Sequence, residues 1–226
     1  MRVLKAWLVG IVTSVLMLNP TQAEKLPLDQ IKMPPGFQIE AYAKVPGARS
    51  ISVVEKLGLV FIGSRGDSIY AITDLDKDRR ADKVIQVKRG LKVPNGIMWH
   101  DDYLYVAEQH RIIRFPAPDL ATLLTAKPEI LFTDLPDKGH HGWRYLRMGP
   151  DGKLYVSVGA PCNICRVEGL AGTIIRLNPT GGKSEIFASG VRNSVGFDFQ
   201  PATGEMYFTD NGADGMGDDS PPDELN

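Results

Sequence analysis

Two cysteines, Cys162 and Cys165, are all the sequence contains, and they stand together in one Cys-x-x-Cys. Two thiolates do not complete the four-ligand shell of a structural zinc, which would need two further ligands from elsewhere. Arg166 stands where a covalent c-type haem attachment requires histidine, so that function is excluded. Basic charge is not in excess either: 26 Lys+Arg against 27 Asp+Glu give a formal net charge of −1, without the positive footprint of a nucleic-acid-binding surface. Long apolar runs are missing too. The N-terminal run at residues 6–18 is shorter than the roughly 18–20 residues a membrane-spanning helix needs, so no stable membrane insertion is expected.

That run follows Arg2 and Lys5 and ends near Thr21-Gln22-Ala23. A basic start, a short apolar stretch and a small-residue site are the marks of a secretory signal peptide, so residues 1–23 are expected to be removed and 24–226 to form the mature chain. A periplasmic or secreted location follows. In such oxidising surroundings a local disulfide is the default reading of Cys162 and Cys165, with free thiols and a shared metal as alternatives. A hydrophobic fraction of 43%, 23 glycines and 16 prolines suit a globular, turn-rich all-β domain rather than a disordered chain.

Four segments align: Gly58 to Gly63, Asp102 to Ala107, Gly152 to Ser157 and Gly204 to Thr209. Each is a turn followed by a strand with an aromatic at its centre. Those aromatics, Phe61, Tyr105, Tyr155 and Tyr207, are 44, 50 and 52 residues apart, near the period of roughly 40–50 residues that marks propeller blades. A second strand follows at residues 68–72, 111–115 and 172–177. The fourth repeat is expected to reach Asp210 and end without a partner strand. About four blades, the last incomplete, are then expected to make a partial β-propeller at 24–226, a fragment of a longer closed ring, since closure is how propellers protect their edges; an isolated four-bladed wheel is the alternative.

Chemistry-bearing residues gather between Gly139 and Cys165. Gly149-Pro150-Asp151-Gly152 is a turn by mechanism, since proline presets φ, aspartate bonds its own backbone and glycine accepts positive φ. It separates an expected strand through Trp143, Tyr145, Leu146 and Met148 from one through Leu154, Tyr155, Val156 and Val158. His140 and His141 are then placed where the first strand begins, facing opposite sides of it. An imidazole titrates near neutrality, which makes His141 the candidate base. Arg192 and Asn193 take a matching strand edge one repeat later. Asp74-Leu75-Asp76-Lys77-Asp78 spaces oxygen ligands as a calcium loop begins, but glycine is missing at its sixth position and glutamate at its twelfth. A solvated acidic turn is the better reading there. The acidic, glycine-rich run 210–226 pairs carboxylates with accessible carbonyls, as hard cations require.

Together these residues resemble the pyrroloquinoline quinone (PQQ)-dependent sugar dehydrogenases, the soluble glucose dehydrogenase and sorbosone dehydrogenase group. The resemblance is carried by His141 eight residues before Gly149-Pro150-Asp151-Gly152-Lys153-Leu154-Tyr155, with Cys162-Asn163-Ile164-Cys165 after it. It is carried also by Gly190-Val191-Arg192-Asn193-Ser194-Val195-Gly196, Thr209-Asp210-Asn211-Gly212 and Pro222-Asp223-Glu224-Leu225-Asn226. It implies a six-bladed propeller that oxidises an aldose or sorbosone-like sugar on PQQ with calcium. On that resemblance His141 takes the sugar hydroxyl proton and Arg192 stabilises charge on the quinone oxygens. Asn95, Arg192, Asn193 and Asn211 bind the cofactor, while Gly212, Ala213, Asp223 and Glu224 belong to calcium. The sequence departs from the glucose enzymes at His140, where they often carry aspartate, and at Ala213, where proline is expected. Two other readings stay open. One is a calcium-dependent propeller lactonase using carboxylates and asparagines around a central metal, and the other is a binding propeller in which His141 and Arg192 are structural.

Overall fold

A computed structural model describes residues 26–226; the expected signal peptide lies outside the described residues. Two compact units are present. The first ends at Glu40, and its described part holds a single 3-10 turn, Leu28–Gln30. The second, Ala41–Asn226, holds the sheets. Its strands are β1 (Ala48–Val54), β2 (Leu59–Ser64), β3 (Ile69–Thr73), β4 (Lys83–Lys88), β5 (Gly96–His100), β6 (Tyr103–Ala107) and β7 (Ile112–Pro116). There follow the short helix α1 (Leu120–Thr125), then β8 (Glu129–Phe132), β9 (Leu146–Met148), β10 (Leu154–Val158), β11 (Thr173–Leu177), β12 (Ser184–Ser189), β13 (Phe197–Phe199), β14 (Met206–Asp210) and β15 (Glu224–Leu225).

Consecutive strands pair antiparallel as four propeller blades: β1-β2-β3-β4, β5-β6-β7-β8, β9-β10-β11-β12 and the three-stranded β13-β14-β15. The repeat aromatics sit in the second strand of each blade and the segments that follow them form the third, as the sequence period predicts. One expectation fails. Strand β15 pairs with β14 through Thr209 opposite Leu225 and Asp210 opposite Glu224, so the fourth aromatic strand does acquire a partner. A two-residue strand after a long acidic loop carries no periodic signal by which to foresee it.

Side-chain alternation along the second strands builds the core. In β6, Leu104 and Val106 pack toward blade 1 with Phe61, Ile69 and Phe115, whereas Tyr105 and Ala107 pack toward blade 3 with Leu154 and Val156. In β10, Tyr155 turns the other way, joining Ile174, Val191 and Phe197 against blade 4. A strand between two blades is buried on both faces, which is why these segments read as near-continuous apolar runs despite a period of two. Phe61, Tyr105 and Tyr155 each face the next blade and are 0%, 3% and 3% exposed. Tyr207, at the fourth equivalent position, is 46% exposed.

The predicted turn forms. Gly152 N–H donates to Gly149 O at 3.0 Å, Gly152 takes φ +73°, and Asp151 Oδ1 accepts from Lys153 N at 3.1 Å. The strand before it is shorter than expected, because Trp143 and Tyr145 precede β9. His140 and His141 are therefore in a turn and not on opposite faces of a strand. Gly142 N donates to Gly139 O at 3.2 Å to close that turn, and the two imidazole rings lie with centroids 4.0 Å apart.

Candidate functional site

The chain entering the first strand of one blade meets the chain leaving the second strand of the blade before it. Each of these junctions is held by polar contacts. At the first, Ser64 N donates to Pro94 O at 3.0 Å, and a Cβ on Gly63 would meet Asn95 O at 2.2 Å, so only glycine permits that approach. At the third, Ala160 N donates to Arg192 O at 2.8 Å. Between them lies the turn carrying His141.

His141 holds a left-handed φ of +47°, a region that costs a non-glycine residue energy and tends to mark functional sites. Its Nδ1 lies 2.9 Å from Ala160 O. A carbonyl only accepts, so Nδ1 carries the proton and Nε2 keeps its lone pair. Burial, the neighbouring His140 and the charge of Arg192 lower the pKa of His141, against a smaller raising contribution from the Ala160 carbonyl. The imidazole is thus neutral, in one tautomer, with its basic nitrogen unspent.

Sequence reasoning missed the group that fixes this turn. Arg144 is 1% exposed and, among the described residues, makes no ion pair. Its Nε donates to Gln109 O at 3.1 Å, Nη1 to His141 O at 3.4 Å and Nη2 to Pro136 O at 2.6 Å. Burial presses its pKa down to about 10, which still leaves it charged at neutral pH. Asn95, 5% exposed, donates from Nδ2 to Arg144 O at 2.7 Å. The structure therefore places Asn95 behind the histidine turn, as a support for it.

Arg192 is held from three sides. Its Nε donates to Asn163 O at 2.9 Å, Nη1 to Asn211 O at 2.9 Å, and Nη2 to Asn163 Oδ1 at 2.6 Å and Asp214 Oδ2 at 3.0 Å. Cys162 and Cys165 form a disulfide around Asn163, so the cross-link braces the loop that grips this arginine. Asp210 accepts from Arg192 N at 2.8 Å and from Asn193 N at 2.6 Å. That fixes the backbone of both residues and spends the carboxylate. The guanidinium retains one N–H, on Nη1, outside these contacts.

Asn211, Gly212, Ala213 and Glu224 line the same cleft as Arg192 and Asn163, with a volume of about 420 Å³. Gly212 N donates to Asp223 Oδ1 at 2.8 Å, and a Cβ on Gly212 would strike Pro221 O at 2.5 Å. His141 and Arg192 are thus brought together through Ala160; Asn211, Gly212, Ala213 and Glu224 line the arginine's cleft, while Asn193 follows Arg192 in the chain and Asp223 meets the cleft through Gly212 N. Among the described residues, the close group of three carboxylates is elsewhere, at Asp74, Asp76 and Asp78, whose oxygens lie within 4.8 Å of one another. Two of those carboxylates accept local backbone N–H groups, Asp76 from Asp78 and Asp78 from Arg80, as a solvated turn would.

An uncharacterized protein of Borreliella burgdorferi is 32% identical over 228 residues, covering 96% of this chain and 58% of that protein. Among solved structures, the PQQ domain of pyranose dehydrogenase from Coprinopsis cinerea is 15% identical with a TM-score of 0.62, over 79% of this chain and 47% of that one. PQQ-bound aldose sugar dehydrogenase from Streptomyces coelicolor is 18% identical with a TM-score of 0.61, over 83% and 62%. At such identities these structures establish the propeller fold, and the chain spans only about half to three-fifths of the proteins it matches. The profile of the glucose/sorbosone dehydrogenases matches residues 103–226, which include His141, Arg192 and the acidic C-terminal run. The chain belongs to the glucose/sorbosone dehydrogenase family.

Proposed function

We propose that this chain carries the base-bearing part of a PQQ- and calcium-dependent dehydrogenase for aldoses or sorbosone-like sugars, acting in the periplasm or outside the cell. The observation that carries the reading is His141: a neutral imidazole of fixed tautomer, with Nε2 free and an arginine one hydrogen-bonded residue away. The donor chemistry suits the implied groups. PQQ is a polyanion and needs cations, which Arg192 supplies, while the carbonyls of Gly212 and Ala213 with the carboxylates of Asp223 and Glu224 offer the hard oxygens calcium takes. When bound, PQQ supplies the two-electron acceptor and calcium polarises it.

The chain's own residues do the rest. His141 Nε2 accepts the proton of the sugar hydroxyl at the carbon being oxidised, and Nδ1–H remains on Ala160 O, so the resulting imidazolium keeps its orientation. Arg192, clamped by Asn163 and Asn211, holds fixed positive charge where negative charge develops, at no cost of reorganisation. Asn193 and Asn211 would help hold the cofactor beside it. Arg144 and Asn95 hold the turn that aims His141.

The test is reconstitution of the full-length protein with PQQ and calcium, followed by dye reduction with a panel of aldoses and sorbosone. Turnover that needs both PQQ and sugar is expected. Lactone hydrolysis with calcium alone, and no PQQ-dependent dye reduction, would replace this reading by a propeller lactonase.

A further inference from the structure

Two arginines beside the histidine turn share one indole. Arg65 Cζ stacks 3.9 Å from the centroid of the Trp143 ring, and Arg49 Cζ lies 4.7 Å from the same centroid. Among the described residues neither guanidinium has a carboxylate within ion-pair distance, whereas Arg111 pairs with Glu108 and Arg192 with Asp214. Burial, and after it the like charge of Arg65, lower the pKa of Arg49. Two cations held around one indole repel each other, and the pair is stabilised when an anion joins it. The planar forks are those that recognise carboxylates.

The position of the pair is not arbitrary. Trp143 is two residues from His141, and Arg49 Nε donates to Asn95 Oδ1 at 3.3 Å, whose Nδ2 supports Arg144 O. One run of contacts therefore joins Arg49 through Asn95 and Arg144 to the carbonyl of His141.

We propose that Arg49, Arg65 and Trp143 form a carboxylate-binding subsite for the ligand processed at His141. Trp143 keeps the two forks apart and flat, and the arginines bind the carboxylate between them or in turn. The chemistry is shared by two sources, a carboxylate of the quinone cofactor and the carboxylate of an acidic sugar such as a uronate. The subsite rests on the proposed function only for its choice between these sources; the cationic pair itself stands on the geometry.

The experiment uses the full-length protein, wild type and the R49Q/R65Q double variant, in two arms. The first titrates PQQ with calcium present and reads affinity by calorimetry. The second titrates glucuronate and neutral glucose, reading the quenching of Trp143 fluorescence, identified as the signal lost in W143F. Loss of a charge-assisted pair weakens binding roughly tenfold or more. If the cofactor supplies the carboxylate, R49Q/R65Q weakens PQQ by that factor and leaves glucose untouched. If the sugar supplies it, PQQ affinity holds while glucuronate weakens against glucose. A double variant within twofold of wild type for both PQQ and glucuronate overturns the subsite. Wild-type protein that binds glucuronate through Arg49 and Arg65 but no PQQ would leave the subsite standing and sink the dehydrogenase reading instead.

Discussion

Replacing Arg144 with methionine keeps most of the side-chain volume and removes the charge, and the structure sets what that does. Three hydrogen bonds from a cation to the carbonyls of Gln109, His141 and Pro136 are lost. Such bonds contribute about 1.5–3 kcal/mol each, so the gross loss is about 4–9 kcal/mol. Against it stands the relief of desolvation. A pKa pressed from 12.5 to about 10 in a group this buried corresponds to about 3 kcal/mol by which burial disfavours the charged form. The net destabilisation is about 1–6 kcal/mol, at its upper end a large share of the stability of an ordinary domain. Urea unfolding of the full-length protein measures it, and an unchanged m-value would assign the effect to the folded state. Turnover should fall with it, because the turn holding His141 at φ +47° loses the bond to its own carbonyl. R144K retains the charge without the fork and should fall between the two. A loss below about 1 kcal/mol in R144M, with wild-type turnover, would refute the claim that this arginine holds the histidine turn.

The lowered pKa of His141 makes a prediction for activity against pH. The base works when neutral, so the acid limb of kcat/KM should lie below the ordinary imidazole value of about 6.5; a limb at or above it would contradict the burial argument. The same sign holds for stability, which His141 supports above its unfolded pKa and withdraws as pH falls through its folded one. His141→Ala should reduce turnover on the order of 10²–10⁴-fold while leaving PQQ binding largely intact, whereas Arg192→Ala should weaken both, and dye reduction beside PQQ titration separates the two roles. Intact mass of the exported protein should show residues 1–23 removed and two hydrogens fewer than the dithiol form, for the Cys162–Cys165 disulfide; retention of Met1 or uptake of two thiol labels without reduction would contradict export to an oxidising compartment.

The fold was legible because its signal is periodic. Strands buried between blades need apolar residues on both faces, a turn before them and a large aromatic reaching across, and those demands recur at Phe61, Tyr105, Tyr155 and Tyr207. Motif positions were legible too, since His141, Arg192 and Asn211 stand beside turns whose residues are themselves distinctive. Supports were not. Arg144 reads in sequence as one polar residue between two aromatics, an ordinary solvent-facing position, and only the tertiary path of Pro136 and Gln109 turns its environment into three carbonyls. Asn163 carries no signal of its own within the cysteine pair, yet its Nδ2 donates to Asp214 O, 51 residues away, at 2.7 Å. Trp143 with Arg49 joins positions 94 residues apart in sequence, and no local pattern connects them.

What unites these positions is the junction between blades. Each junction brings a chain leaving a second strand against a chain entering a first strand: Ser64 N donates to Pro94 O at the first and Ala160 N to Arg192 O at the third, while at the second the Arg144 side chain donates to Gln109 O. The side chains differ. The first junction supplies Asn95 and borders Arg49 and Arg65, the second buries Arg144 and presents His141, and the third clamps Arg192 with the disulfide-braced Asn163. The junctions therefore bring chemically different side chains to one end of the blades, and Asn95 of the first supports Arg144 of the second. Arg144 and the Asn95 amide nitrogen both donate to backbone carbonyls. A carbonyl's position is set by the strand it terminates, so an arginine or asparagine anchored there inherits the rigidity of the sheet. The histidine turn and Arg192 are in this way fixed as the blades fold.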